Sequence, residues 1–162
     1  MRRRLVVSAE EALEKMKSWC AYQERSHFDC RKKIFEFGLQ KHEIENIISA
    51  LIEENYLNEE RFACALARGK MRIKSWGKIK IKQSLIKHQV SDKIIQKALN
   101  SLNEDEYINH LDKIIHKKAD QLSEENNIYQ SILRHLMTKG FENDLSIARL
   151  NVILKNSSNF EA

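Results

Sequence analysis

The residues of this chain best suited to chemistry are its cations. Between Arg61 and Lys97 the sequence carries 11 lysines and arginines against a single acid, Asp92. Exposed helices normally intersperse both signs for i,i+4 pairing, so a stretch this unbalanced sets up a local field that attracts phosphate or an acidic partner. At 100° per residue, Arg61, Arg68 and Arg72 fall within roughly a 40° sector of one helix, with small Ala65 on the same side. Lys78 and Lys82 stand one turn apart on the next segment, and Lys70, Lys74 and Lys80 complete the set. Trp76 lies among them and suits either base stacking or packing between helices. We expect Arg61, Arg68, Lys70, Arg72, Lys74, Lys78, Lys80 and Lys82 to face phosphates or an acidic protein surface.

Other kinds of chemistry find little footing. There is no glycine-rich phosphate loop, no nucleophile elbow and no Cys-His or Ser-His pair at a meaningful spacing. The acids gather at helix starts, where the macrodipole accounts for them. Cys20, Cys30 and Cys64 are odd in number and widely spaced, which reads as reduced, buried thiols of a cytoplasmic protein and not as a disulfide framework. His110 and His116 lie six apart, a poor spacing for two metal ligands on one helix face. No catalysis, metal or cofactor is expected. Met1 to Val7 has the basic flank of a signal peptide without its apolar core and reads as a basic arm, while Asn156 to Ala162 reads as a frayed tail. No apolar run approaches the roughly 18 residues of a membrane span.

The elements that must position these cations are helices. The 162 residues include no proline and only four glycines, 31% are charged and 42% hydrophobic, so turn punctuation is scarce while core-forming residues are plentiful. Ile44, Ile47, Ile48, Leu51 and Ile94, Ile95, Ala98, Leu99, Leu102 follow the i, i+3, i+4, i+7 pattern of a helix with one apolar face. Caps divide the segments: Ser8 with Glu11, Ser26, Asn58, Ser91 with Asp92, Asn103 with Glu106, and Ser123 with Glu124 and Glu125 open helices, while Gly38 and Gly140 close them. Lys78-Ile-Lys-Ile-Lys82 alternates like a strand but sits between a glycine and a helical run, and we place it in a helix.

The chain also resembles itself at an offset of 51 residues. Windows 8–58, 59–109 and 110–160 align nine all-apolar triplets, among them Cys30/Ile81/Ile132, Ile34/Leu85/Leu136, Phe35/Ile86/Met137 and Leu39/Val90/Phe141. Chance predicts about four. The expected fold is all-α, with about nine helices in three tandem three-helix repeats, preceded by the arm 1–7 and forming an elongated stack that can curve. Repeat 2, residues 59–109, holds the basic block.

The stretch from Tyr56 to Leu99, with Tyr-Leu-Asn-Glu-Glu-Arg-Phe-Ala, Trp-Gly-Lys-Ile-Lys-Ile-Lys-Gln-Ser-Leu and Ile-Ile-Gln-Lys-Ala-Leu, resembles the central signature of the RecX family. Arg25-Ser26 followed by Cys30, Ile34 and Gly38-Leu39 is similar to the pattern of the family's first repeat, and Lys139-Gly140-Phe141 to the same corner in the last. The family's acidic pair is here Glu59-Glu60, and its second Lys-Gly corner is His88-Gln89, which lacks the glycine. The resemblance implies a non-enzymatic regulator that binds the RecA recombinase and its nucleoprotein filament, restrains recombination, and meets single- or double-stranded DNA without sequence preference as a cytoplasmic monomer. From the residues alone, a helix-turn-helix DNA-binding protein using Ser75 to Leu102 and an RNA-binding helical repeat are the rival readings.

Overall fold

The computed structural model describes residues 7–122 and 127–158, with side chains to 154. Among these residues there are nine α-helices and no strand: α1 (Ala9–Tyr22), α2 (His27–Glu36), α3 (Lys41–Glu53), α4 (Glu59–Lys74), α5 (Lys78–Lys87), α6 (Asp92–Asn100), α7 (Glu104–Gln121), α8 (Ile128–Lys139) and α9 (Asn143–Ser158). The alternating Lys78–Lys82 segment is helical, as expected. Residues 1–6 of the basic arm, the Ser123–Glu125 helix start and positions 159–162 lie outside the described residues. Two terminal expectations are corrected: Val7 is 6% exposed and belongs to the core, and α9 runs on through Asn156 to Ser158. None of these helices is long and apolar enough to cross a membrane.

Local chemistry sets the helix starts. Ser8 accepts from the Glu11 N–H at 3.2 Å, Ser26 from Asp29 at 3.0 Å, Asn58 from Arg61 at 2.8 Å and Asn103 from Glu106 at 2.8 Å. Each side chain satisfies a backbone donor that the first helical turn leaves without a partner. The Asn103 cap starts α7 six residues before position 110, so this helix straddles the boundary between the second and third 51-residue windows.

The helix ends repeat at the same period. Gly38, Gln89 and Gly140 have φ of 85°, 56° and 85°, and their N–H groups donate to the carbonyls of Phe35, Ile86 and Met137. Three left-handed corners therefore stand 51 residues apart. The missing glycine at the second corner leaves the backbone path unchanged, with Gln89 held in a conformation that normally favours glycine.

The chain forms two compact units. In the first, residues 1–65 with 85–98, helices α1, α2 and α3 pack together. Met16, Cys30, Ile34, Ile48 and Leu51 are almost wholly removed from water there. In the second, residues 66–84 with 99–162, helices α7, α8 and α9 pack together over fully buried Tyr107, Leu111, Ile115, Ile132, Leu136 and Phe141. The repeat triplets Cys30/Ile81/Ile132 and Ile34/Leu85/Leu136 are all 0% exposed, whereas Phe35/Ile86/Met137 face outward at 52%, 51% and 45%. Apolar identity at the 51-residue offset therefore marks matching helix faces, and only some of them are core faces. Cys20 and Cys30 are buried free thiols with Sγ atoms 3.7 Å apart, but Cys64 is only half-buried, contrary to expectation.

Candidate functional site

The basic block centres on the corner between α4 and α5 in the second unit, and its local sequence breaks a helix rule. Helix α5 opens with Lys78 and Lys80 and has no acid in its first turn. Cations are disfavoured at the positive end of a helix dipole, so something else must hold them. The partner is the C-terminal end of α8. The N–H of Gly77 donates to the Lys139 carbonyl at 2.9 Å, that of Ile79 to the Gly140 carbonyl at 3.0 Å, and the Lys80 ammonium to the Thr138 carbonyl at 3.2 Å. Donors from the first turn of α5 and the glycine before it thus satisfy three consecutive carbonyls at the negative end of α8, so both helix ends are capped at once. Lys139 returns the contact, donating to the Lys74 carbonyl at 3.3 Å.

Tyr107 fixes the same corner from below. Its hydroxyl accepts from the Lys78 N–H at 2.9 Å and donates to Glu142 at 2.5 Å, and its ring lies 5.3 Å from Phe141. Burial, reinforced by Glu142, pushes the Tyr107 phenol above its usual range and keeps it a neutral donor.

The eight expected cations divide into three groups. Arg61 lies in the first unit, and its guanidinium is fully engaged: Nε donates to Glu24 at 2.5 Å, Nη1 to the Asn55 side chain at 3.0 Å and Nη2 to the Asn55 carbonyl at 3.1 Å. It braces a left-handed turn, Asn55 having φ of 60°, and does not form one exposed row with Arg68 and Arg72 as the helical wheel suggested. Arg72 makes two bonds to Glu106, at 2.7 and 3.0 Å, and Lys78 donates to Glu104 at 2.9 Å. Hydrogen bonding to Arg72 holds the Glu106 carboxyl below the usual carboxylate range.

Lys70 and Lys80 place their ammoniums 4.9 Å from the Trp76 ring centroid. The half-buried indole is thus a platform for two cations, a role between the two expected of it. Arg68, Lys74 and Lys82 are exposed and make no ion pair among the described residues, so they are the cations most available to a partner. Phe62, Leu66 and Ile73 share one face of α4 by spacing, but Ile73 is 79% exposed while Phe62 is buried, so that face is covered only toward its N-terminal end.

The residues that organise this corner, Glu104, Glu106, Tyr107, Thr138 and Glu142, were not anticipated. Each lies 26 to 58 positions from the residue it bonds, beyond the range of any helical spacing rule. Among the described residues no cluster of metal-ligating side chains is present.

A family model described as RecX, second three-helix domain, matches residues 58–99, which contain all eight cations and Trp76. The chain is 29% identical over 136 residues to the regulatory protein RecX of Lactobacillus johnsonii, covering 83% of this chain and 50% of that one. It is 31% identical over 122 residues to the regulatory protein RecX of Clostridium tetani, covering 73% and 54%. The chain therefore spans about half the length of the relatives it matches in sequence. A crystal structure of RecX from Lactobacillus salivarius superposes with a TM-score of 0.80 at 23% identity, over 89% of this chain and 97% of that one. A crystal structure of a regulatory protein RecX does so with a TM-score of 0.72 at 21% identity, over 85% and 70%.

Proposed function

The chain belongs to the RecX family, and from that premise we propose that it regulates the RecA recombinase by binding RecA and its nucleoprotein filament. In this reading it restrains recombination and RecA's ATP hydrolysis, acts as a monomer in the cytoplasm and carries out no reaction of its own. The observation that carries the reading is the concentration of exposed Arg68, Lys74 and Lys82 around the rigid α4–α5 corner. An exposed cation left without an acid is placed to meet the phosphates of the filament's DNA or an acidic face of RecA. Contacts of this kind position a protein on nucleic acid without reading its sequence.

The test adds the protein to RecA on single-stranded DNA and follows ATP hydrolysis and strand exchange. Inhibition at stoichiometric ratios, weakened in an R68A/K74A/K82A variant that melts normally, is the expected result. No effect on either activity at stoichiometric ratios overturns the proposal.

A further inference from the structure

A second basic feature lies in the same unit, in sequence that carries a net negative charge. Helices α7 and α8 flank an open cavity of about 440 Å³ whose rim reaches the α4–α5 corner at Ser75. From α7 it is lined by His110, Lys113, Lys117 and Lys118, and from α8 by His135 and Lys139. His110, Lys113 and Lys117 follow i, i+3, i+7 and so share one face of the helix. No carboxylate is among the described lining residues. Of the five acids of α7, Glu104, Asp105 and Glu106 occupy its first turn, Asp112 is held by Arg149 at 2.8 and 2.5 Å, and exposed Asp120, near Lys117 on the helix surface, is not on the lining. Among the described lining residues no acid pairs with the four ammonium groups.

We infer that this cavity is a phosphate-binding site, and that the phosphate it takes is part of a polynucleotide backbone. Lysine ammoniums bind phosphate as point charges from several directions at once, and this lining offers four of them. Continuity with the corner favours a polymer over a free ion. Lys139, on the cavity wall, donates to the backbone of Lys74, and Ser75 at the rim directly precedes Trp76. A strand whose phosphate sits in the cavity can therefore continue past Lys74 toward the indole, pairing backbone neutralisation with a stacking surface. Ser75 has φ of 50° without being a glycine, so the rim is held in a conformation that the surrounding contacts must enforce. Burial first, and then Lys118 and Lys139, hold the His135 imidazole below its usual range. The lysines of the site are distinct from Arg68, Lys74 and Lys82, and the site does not depend on RecA being the target.

The experiment measures the whole chain alone, without RecA. Binding of a fluorescent oligo-dT is titrated from 50 to 300 mM salt for the natural chain, for K113A/K117A and for R68A/K82A, with thermal melts as controls. The ring protons of His110 and His135 are followed by NMR during additions of oligo-dT, pyrophosphate and poly-glutamate. K113A/K117A should melt normally, bind oligo-dT about tenfold more weakly near 100 mM salt, and show a salt slope shallower by about one to two. The histidine signals should shift and saturate with oligo-dT. An unchanged slope with unmoved histidines overturns the site. Shifts with pyrophosphate but not oligo-dT overturn the polynucleotide assignment, and shifts with poly-glutamate alone overturn the phosphate assignment. Failure of the RecA assay with retained oligo-dT binding would remove the proposed function and leave this site standing.

Discussion

Gly77 and Gly140 meet backbone to backbone. A Cβ on Gly77 would lie 2.2 Å from the Gly140 carbonyl oxygen, and one on Gly140 would lie 2.3 Å from the Cβ of Lys80. This contact lets the α8 carbonyls reach the donors of α5, and it sets Lys78 and Lys80 where they stand.

Substituting Gly77 with alanine should therefore cost about 2–4 kcal/mol, because the obstructing atoms are backbone and cannot rotate aside. Gly69, inside α4, offers a contrast, since nothing lies within 4 Å of the position its Cβ would take. There alanine should stabilise by up to about 1 kcal/mol through helix propensity. Urea unfolding of the two variants measures both signs, and a neutral G77A would refute the close approach.

The Gln89 corner carries a residue in a conformation glycine adopts at little cost. Gln89→Gly should raise stability by about 0.5–1 kcal/mol, since the penalty for a left-handed side chain outweighs the extra freedom glycine has when unfolded. Equal or lower stability in urea would mean that the glutamine side chain contributes a compensating contact.

Arg61 and Arg68 look alike on a helical wheel but should separate experimentally. Arg61→Ala leaves Glu24 half-buried without its partner and unbraces the Asn55 turn, for an expected loss of about 1–3 kcal/mol with little change in oligonucleotide affinity. Arg68→Ala should do the reverse. Parallel melts and anisotropy titrations decide, and a stable but DNA-deficient R61A would reverse the assignment.

Arg72 is paired in the free protein, so removing its carboxylate should release a cation. Glu106→Gln is expected to raise single-stranded DNA affinity several-fold near 0.1 M salt and steepen the log–log salt slope by about 0.7, the value for one added phosphate contact. An unchanged slope would show that Arg72 faces away from any bound strand.

The imidazole of His135 links stability to pH. Its folded pKa lies below the usual 6.5, through burial first and then Lys118 and Lys139, with Lys113, Lys117 and His110 lining the same cavity. On acidification the unfolded chain takes up a proton near 6.5 that the folded chain refuses. Stability should therefore fall as pH drops below about 6.5 and level off once the folded ring also protonates. The depressed carboxyls Glu45 and Glu106 act in the same direction, but only as pH falls below their usual 4.5. Melts between pH 7 and 5 should show a smaller decline in H135Q than in the natural chain. Identical slopes would remove His135 as the cause of the decline.

Much of the fold was legible because it follows from short-range chemistry. Ser8, Ser26, Asn58 and Asn103 cap the helices they were expected to cap, since a capping bond joins residues three apart. The cavity was not legible. Counted over residues 98 to 162, its lysines are outnumbered by acids, and that count conceals that three of the five α7 acids sit in its first turn and that Asp112 is taken up by Arg149. The i, i+3, i+7 spacing of His110, Lys113 and Lys117 was the available signal.

The sequence by itself determined the helices, the corners at a 51-residue period and the basic character of residues 61–97, because propensity, capping and charge act within a turn or are summed along the chain. Tertiary structure alone decided which cations are free. Arg61, Arg72 and Lys78 meet acids 26 to 37 positions away, while Arg68, Lys74 and Lys82 meet none among the described residues. Whether a charge is neutralised depends on what packing brings within about 3 Å of it, a distance that spacing along one helix cannot specify.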